Sequence, residues 1–593
     1  MPLSKIAYCL CAGFLLYTSF IFFPKWKQPG GENTISWDAA GYYWYLPSTF
    51  IYHDLKQQKF NDSIFIKYKP ADNLQGTYKL ENGNYVIRYT CGMAVMEMPF
   101  FFAANILAKP LGYPQDGFSP PYPLAIQIGG ILIALIGLWY LRKLLLLFYS
   151  DVVTAICLLL LIVGTNYLDF AAINVGMTHN WLFTIYVFIL LNTYYFYQQY
   201  AYKYAIRIGL LIGLATLTRP TEIIAIMIPI FWGLENVSIK GIQNRIILFA
   251  EQWKKIFAAS CCGIAVISIQ LFYWKYISGH WFVYSYRDQG FSWLHPHIKV
   301  YAFNFRTGWL NYTPMMLFAI AGIIPFFKNG KNKVAILLFL AVNYYVVCAW
   351  SQWWYGGRAM IQSYPVWIFP FASFIEIALN KRVLKWITAL CAILFLYFNI
   401  WLTYHEHRGT MYTPDNMTKA YYMRVVGRWS VPDETLKLRD NPDLFEGNPK
   451  NMQLLYSNNF NDDTSIYCPL HAIEGARSIY LDKDHQGSKI FKFAYKKEKA
   501  EWVRAQATFK CISKEWGLWN IPQFVVHFYN KNDEVKTSMI RVDRFLDPGE
   551  TKDLYIDIRA PKSEFDSIGV SFWNADSDKE LQVDNLKVWS FEE

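Results

Sequence analysis

Residues 35–47 read ISWDAAGYYWYLP and follow almost directly on the first long apolar run of the chain, at roughly 5–23. They hold one carboxylate, Asp38, between small residues and a dense run of aromatic residues. Because Tyr and Trp are enriched where a membrane meets water, the pattern places Asp38 at a membrane surface, where a carboxylate is poorly hydrated. An alternative and compatible role is to stabilise the first turn of a helix over about 38–56.

The composition indicates a membrane protein with a soluble part. The chain has 593 residues, of which 54% are hydrophobic and 19% aromatic, and its formal net charge is +11. Long apolar runs occupy residues 1–404, whereas residues 405–593 resemble a soluble domain. The basic residues are spread between the apolar runs and do not form one patch, which argues against nucleic acid as a partner.

A run of about twenty apolar residues is long enough to cross the hydrocarbon core of a bilayer as a helix. The sequence predicts about eleven such spans, near 5–23, 122–141, 153–169, 178–197, 205–218, 220–234, 256–277, 311–327, 334–350, 360–379 and 384–403. Two of them, 205–218 and 220–234, are short and are separated by Arg219-Pro220, which predicts a broken or re-entrant pair. The first run lacks a small-residue cleavage site and is expected to stay as an anchor.

The basic residues predict the topology, because they occupy alternate loops between the spans: Arg142 and Lys143; Lys203 and Arg207; Lys240, Arg245, Lys254 and Lys255; Lys328, Lys331 and Lys333; Lys381, Arg382 and Lys385. Loops rich in Lys and Arg stay on the cytoplasmic side. The N-terminus is then cytoplasmic, and the long loop 24–121 and the C-terminal domain lie outside. That loop is expected to carry interfacial helices at about 38–56 and 92–108.

The C-terminal part predicts an all-β domain. After a polar linker at 405–450, residues 451–593 contain short strand-like runs, including 524–529, 553–558 and 568–573, separated by turn residues. Regularly spaced short strands are typical of a β-sandwich, and the final run, 581–589, resembles the last strand of jelly-roll domains. Cys468 and Cys511 lie in this domain, and whether they form a disulfide is left open.

Three arginines, Arg219, Arg306 and Arg358, lie beside spans at the predicted outer face, against the positive-inside trend. An unpaired charge at that depth is costly, and Arg binds phosphate groups in a bidentate manner. We therefore expect a phosphate-binding site at this face, with Arg88 as a fourth candidate. The alternative is that each arginine reaches out to a lipid headgroup.

Other polar groups share this face. His179 begins the fourth span and is a candidate proton carrier, acceptor-binding group or ligand, or only a polar cap. Asp116 and Asp169 are candidates for a second acid beside Asp38, and the sequence does not choose between them. No compact set of carboxylates and histidines is visible in the sequence, so neither a metal nor another cofactor is expected.

Aromatic residues near these positions are candidates for contact with a sugar ring or a lipid chain: Tyr43, Trp309, Trp353 and Tyr355. The alternative for each of them is the ordinary aromatic belt of a membrane protein.

The order of these motifs resembles the GT-C superfamily of membrane glycosyltransferases, most closely the protein O-mannosyltransferase and aminoarabinose transferase group. The resemblance covers about residues 1–404. It rests on the Asp38 motif after the first span, the long first outer loop, His179, the stretch LATLTRPT at 214–221, the stretch 303–314 with Gly308, and residues 353–358.

The resemblance implies an enzyme of the bacterial inner membrane with a periplasmic active site. The donor would be a polyprenyl-phosphate-linked hexose or pentose, and the acceptor a hydroxyl of a protein, lipid or glycan. Asp38 would be the general base, with His179 as a further catalytic residue, and the arginines would hold the donor phosphate. The chain has Asp38-Ala39-Ala40 where many relatives have two adjacent acids, and His179 where several have Asp, so any second acid stays open.

Two other classes of protein compete with this interpretation. A transporter or flippase of lipid-linked sugars would carry charged residues along the interior of its spans, whereas the charges here cluster at one face. A membrane-anchored glycan-binding protein would not need many spans. The sequence therefore favours a glycosyltransferase.

Overall fold

The computed structural model describes residues 1–71, 76–235, 237–287, 289–350, 355–409, 411–413, 417–495, 501–517 and 520–593. The chain divides into two compact units, Met1–Asp415 and Asn416–Glu593. The first unit is mainly helical, and the second is built mainly from strands.

The first unit is built from helices of very different length. Its α-helices, labelled α1 to α19 in chain order, are Leu3–Tyr17, Trp37–Tyr43, Tyr45–Phe50, Asn61–Tyr68, Gly92–Ala108, Pro121–Leu145, Asp151–Gly164, Tyr167–Ala172, Thr178–Gln199, Tyr202–Thr218, Met227–Phe231, Ile239–Glu251, Trp253–Ser278, Ile298–Phe303, Trp309–Tyr312, Leu317–Asn329, Lys333–Ala349, Tyr364–Asn380 and Arg382–His407. A two-stranded hairpin, β1 (Thr77–Lys79) and β2 (Tyr85–Ile87), precedes α5.

Four helices are long and apolar enough to cross a membrane: Leu3–Lys27, which extends α1, and α6, α13 and α19. Shorter apolar helical segments accompany them: Gly92–Ala108, Asp151–Gly164, Pro220–Phe231, Pro314–Asn329 and Lys333–Ala349. The predicted helical membrane unit is therefore supported. The predicted number of about eleven spans is not confirmed, because most of the remaining helices are too short to meet the same criterion.

The break predicted at Arg219-Pro220 is present. Helix α10 ends at Thr218, and Arg219 is extended, with φ −145° and ψ 118°. A residue before proline is disfavoured in the helical region because of steric conflict with the proline ring. The chain then continues as a 3₁₀ segment, Pro220–Ile226, before α11 begins.

The interfacial helix predicted over 38–56 is shorter than expected. Two helices, α2 and α3, replace it, and α3 ends at Phe50. Pro47 has no N–H to donate to the carbonyl of Tyr43, so a continuous helix cannot pass this point undisturbed. The second interfacial segment, 92–108, matches α5.

One small cluster of buried side chains brings several elements of the first unit together. Tyr42 of α2, Tyr89 of the loop after β2, Met93 of α5 and Trp181 of α9 form this cluster. Large aromatic side chains bury much apolar area, and aromatic pairs also add specific ring contacts. The cluster thereby holds α2 against α5 and α9, at the position where the candidate site lies.

The second unit contains two antiparallel sheets. Its strands, β3 to β11, are Lys450–Asn458, Ile479–Leu481, Phe491–Ala494, Trp502–Cys511, Gln523–Asn530, Asp533–Arg541, Thr551–Arg559, Ser567–Trp573 and Leu581–Glu592. One sheet has the order β5-β10-β7-β8, and the other has the order β3-β11-β6-β9 with β4 paired to β11. Side chains from both sheets share one apolar core. The prediction of a C-terminal β domain is confirmed.

The segment predicted as a linker contains regular structure, and the two cysteines of the β domain are not joined by a disulfide. Residues 405–450 include the end of α19, a helix α20 (Lys419–Val425) and a 3₁₀ segment, Asp433–Arg439. Cys468 and Cys511 are free thiols. The Cys468 thiol contacts the carbonyl oxygen of Leu470 at 3.3 Å.

Candidate active site

Asp38 is the second residue of α2, and its side chain is 25% exposed. Tyr89 Oη donates to Asp38 Oδ1 at 2.6 Å, and Arg358 Nη2 donates to Asp38 Oδ2 at 2.8 Å. The preceding residue, Trp37, has φ +48°, which a bulky side chain rarely adopts. Strained backbone of this kind is found preferentially at functional sites. The two bonds hold the carboxylate in place while leaving part of it accessible.

The ring of Tyr89 can approach Asp38 because residue 41 of α2 is a glycine. A Cβ at Gly41 would lie 2.4 Å from Tyr89 Cε2, so only glycine leaves room for this ring. The ring of Tyr89 also packs on that of Tyr42, with centroids 4.4 Å apart. Burial, followed by the nearby Asp38 carboxylate, raises the pKa of Tyr89 well above its ordinary value. Tyr89 therefore stays protonated and donates to Asp38.

Arg358 reaches the same carboxylate from the 3₁₀ segment Tyr355–Ser363. Gly356 and Gly357, directly before Arg358, have φ +50° and +69°, a region that glycine adopts without steric cost. A Cβ at Gly357 would also lie 2.6 Å from Trp309 Cβ. The tight turn at this glycine pair packs against α15 and places the guanidinium of Arg358 beside Asp38.

Arg219 lies close enough to Asp38 for their charges to interact. The groups that act on its guanidinium include Tyr42, Tyr286 and Asp38. Its Nη1 is buried and has no hydrogen-bond acceptor among the described residues. Buried N–H groups are nearly always paired, and a guanidinium N–H is a strong donor for anions. The geometry leaves this donor for a negatively charged ligand.

Arg88 belongs to the same neighbourhood through Tyr286. Burial raises the pKa of Tyr286, and the charges of Arg219, Asp38 and Arg88 all contribute at that side chain. The Nε of Arg88 is also buried without an acceptor within the described parts of the chain. Three of the four predicted arginines, Arg88, Arg219 and Arg358, therefore lie around one region beside Asp38.

His179 lies in this region but does not contact Asp38. Its Nδ1 is 3.0 Å from Gln362 Oε1. Gln362 Nε2 donates to Glu222 Oε1 at 3.2 Å, and Tyr186 Oη donates to Glu222 Oε2 at 2.7 Å. All four side chains are buried. The two arginines whose charges act on the His179 ring are Arg219 and Arg358.

Asp116 belongs to another network. It contacts Lys67 Nζ at 3.0 Å and accepts a hydrogen bond from Tyr68. Burial acts to raise the pKa of Asp116, but hydrogen bonds from Tyr68, the backbone of Phe118 and Lys67 hold it below its ordinary value. Asp116 is thus an ionised partner of Lys67, and its hydrogen bonds are not made to Asp38.

Asp169 belongs to a third network. It is fully buried, and His407 Nε2 lies 2.8 Å from its Oδ1 while Asn174 Nδ2 donates to its Oδ2 at 2.7 Å. Within the described residues, the ligand atoms of Asp169, Glu406 and His407 lie within 4.8 Å of one another and could hold a metal ion. The close contact between Asp169 and His407 already satisfies two of these atoms without a cation.

Three further predicted residues, Arg306, Tyr43 and Trp309, are described by the structure and do not bond to Asp38. Arg306 is exposed and is not one of the hydrogen-bond partners of Asp38. Tyr43 is buried and donates to the carbonyl of Gly117 at 2.6 Å, and Trp309 is buried and donates to Tyr364 Oη at 3.0 Å. Trp353 and the side chain of Tyr355 lie outside the described residues.

The sequence missed several residues of the site. Tyr89, Tyr286 and Gln362 carry no signal that separates them from the many tyrosines and polar residues of the chain. Glu222 could have been noticed, because it is an acid within an apolar run and such residues are often functional. Together the site offers a proton acceptor beside a set of guanidinium donors, which suits transfer of a proton next to a bound anion.

Comparison with known proteins gives the following results. No protein-family model matches the chain, and no curated protein matches it. Among solved structures, an oligosaccharyltransferase of Archaeoglobus fulgidus in the apo form is 14% identical with a TM-score of 0.41, and the match covers 75% of this chain and 61% of that one. Arabinosyltransferase EmbB of Mycobacterium smegmatis is 10% identical with a TM-score of 0.30, covering 83% and 58%.

A Family 16 Carbohydrate Binding Module-2 is 15% identical with a TM-score of 0.15, and the match covers 20% of this chain and 82% of that one. The chain thus spans less than two thirds of the length of either transferase.

Proposed function

We propose that the chain is a membrane glycosyltransferase that moves a sugar from a polyprenyl-phosphate-linked donor to an acceptor hydroxyl at the outer face of the bacterial inner membrane. The observation that carries this proposal is the partly exposed Asp38 carboxylate, held by Arg358 at 2.8 Å and accompanied by two buried guanidinium nitrogens, Arg219 Nη1 and Arg88 Nε, that lack acceptors among the described residues. A base and an anion-binding group are the two elements that transfer from a phosphate donor requires.

In the proposed reaction, the acceptor oxygen attacks the anomeric carbon of the sugar and Asp38 takes the hydroxyl proton. The bond between the anomeric carbon and the phosphate oxygen breaks, and the polyprenyl phosphate leaves with both bonding electrons. Guanidinium groups stabilise the charge that develops on that phosphate. We assign this role to Arg219, Arg358 and Arg88, and we leave Arg306, which is exposed, out of it.

Arg358 is able to serve both parts of the site. It uses one Nη group to hold Asp38, and a guanidinium has five N–H donors in a planar fork. The remaining donors are available to a phosphate oxygen, so the same side chain places the base and the leaving group next to each other. This coupling matters because proximity of the reacting groups supplies a large part of catalysis.

The proposal is tested by transfer assays on purified protein in lipid nanodiscs, following release of polyprenyl phosphate from synthetic donors that carry a hexose or a pentose. Asp38→Asn keeps the size and the hydrogen bond from Tyr89 but removes the base, so turnover should fall about 100-fold or more. The matched control is Asp62→Asn, an exposed acid in the first turn of α4. Equal turnover in Asp38→Asn, Asp62→Asn and the parent protein would falsify the proposal.

A further inference from the structure

The chain of hydrogen bonds from Tyr186 to His179 determines where the proton of the imidazole lies. Both carboxyl oxygens of Glu222 accept a hydrogen bond in the structure, and Arg219 lies three residues earlier in the chain. The hydroxyl of Tyr186 and the amide nitrogen of Gln362 donate these hydrogen bonds to Glu222. The orientation of the Gln362 amide is therefore set by Glu222, with its nitrogen toward the carboxylate.

The amide oxygen of Gln362 then faces His179 Nδ1 at 3.0 Å. An oxygen acceptor at this distance requires a proton on Nδ1. In the neutral imidazole the other nitrogen, Nε2, then carries a lone pair. Nε2 has no hydrogen-bond partner among the described residues.

Neighbouring side chains enclose the His179 ring. His179 is 1% exposed, and the positive charges of Arg219 and Arg358 act on it. The facing groups from the other packed elements are neutral at the contacts that reach the ring: Gln362 at Nδ1 and Phe170 edge-on at 5.0 Å.

We propose that Glu222 and Gln362 are positioning residues that hold His179 in the Nδ1–H form, so that Nε2 accepts a hydrogen bond from a hydroxyl of the bound sugar or acceptor. This proposal rests on the proposed function for the identity of the ligand. It assigns His179 to orientation of a hydroxyl and leaves removal of the proton to Asp38. One segment, Tyr355–Ser363, then organises both groups, because it supplies Arg358 to Asp38 and Gln362 to His179.

The protonation form is measured directly by nitrogen-15 NMR of histidine-labelled protein in nanodiscs. The signals of His179 are assigned by their absence in His179→Gln. We expect a neutral ring with Nδ1 protonated between pH 6 and 8 in the parent protein, and loss of this fixed form in Gln362→Leu. The control Gln127→Leu also removes buried hydrogen bonds, to Thr34 and Ser19, and should leave the His179 signals unchanged.

A proton on Nε2, or a charged ring in this pH range, overturns the inference, and the spectrum of the parent protein alone decides this if Gln362→Leu does not fold. The spectrum is independent of transfer, so a parent protein that transfers no sugar refutes the proposed function without deciding the protonation form.

Activity supplies a second arm for the role of Nε2. The amide oxygen of His179→Gln can reach the position of Nε2, whereas that of His179→Asn cannot. We expect His179→Gln to keep turnover within about tenfold of the parent with an unchanged pH profile, and His179→Asn to lose more. Loss of one limb of the pH profile in His179→Gln would show that His179 carries the proton, which contradicts the inference.

Discussion

Asp38 and Asp169 are two aspartates that the topology predicts on the same face, and each makes two strong side-chain contacts. Asp38 contacts Tyr89 and Arg358 and is 25% exposed, whereas Asp169 contacts His407 and Asn174 and is fully buried. Asp38 also lies near Arg219, whose buried Nη1 lacks an acceptor among the described residues, whereas Asp169 lies beside Glu406 and His407. Exposure and a nearby cationic donor without an acceptor, more than the number of hydrogen bonds, distinguish the aspartate that we propose as the base from the buried one.

The largest expected effect comes from breaking the buried network around Asp169. Asp169→Ala removes the partner of a buried His407 and leaves Asn174 without its acceptor. Loss of one member of a buried pair costs about 3–5 kcal/mol. We expect a clear fall in the thermal unfolding temperature in detergent, with turnover per folded molecule close to that of the parent. A stable Asp169→Ala protein with lost turnover would instead make Asp169 the second acid.

The second effect separates arginines that the sequence treated alike. Arg358→Gln removes the cation beside Asp38 and a donor for the phosphate, so kcat/KM should fall about 100-fold. Arg306→Gln is the matched control, because Arg306 is exposed and does not contact Asp38. We expect less than about threefold from it, as is usual for exposed charges. Comparable losses in both variants would mean that Arg306 joins the site when ligand binds.

A smaller effect tests how Asp38 is held. Tyr89→Phe removes the hydrogen bond of 2.6 Å but keeps the packing against Tyr42. Removal of one buried hydrogen bond to a charged group should lower kcat about tenfold, with little change in the unfolding temperature. A variant with unchanged kcat would show that Arg358 alone positions the carboxylate.

The smallest expected effect concerns Asp116, whose pKa in the folded chain lies below its ordinary value of 3.8. A lowered folded-state pKa stabilises the protein above pH 3.8, and this contribution is lost as the pH falls through the folded-state pKa. Asp116→Asn should therefore lower the free energy of unfolding by about 1 kcal/mol at pH 7. The difference from the parent should vanish in acid, and a difference that grows in acid would contradict this sign.

Much of the architecture could be predicted from the sequence, because long apolar runs and short strand patterns have strong periodic signals. These signals predict the helical unit and the C-terminal β domain. The Arg219-Pro220 pair also predicts the end of α10. The helix over 38–56 was predicted as one piece, because its aromatic composition outweighed Pro47, which divides it into α2 and α3; α3 then ends at Phe50.

The site was only partly predictable. Charge patterns indicate the side of the membrane on which a residue lies, but they do not show how far apart two residues on that side are. Asp38 and Arg358 meet although 320 positions separate them, while Asp169 pairs with His407 and Asp116 with Lys67. These pairings depend on how the helices pack, and on turns such as the one at Gly357.

The most direct test of the central claim is a structure of the protein in nanodiscs with a bound polyprenyl phosphate. We expect the phosphate to contact Arg219 and Arg358, with Asp38 facing the side from which a sugar would extend. Arg219 Nη1 should gain the acceptor it lacks among the described residues. A phosphate held beside Asp169 and His407, or at the opposite ends of the helices, would contradict the assignment of the active site to Asp38.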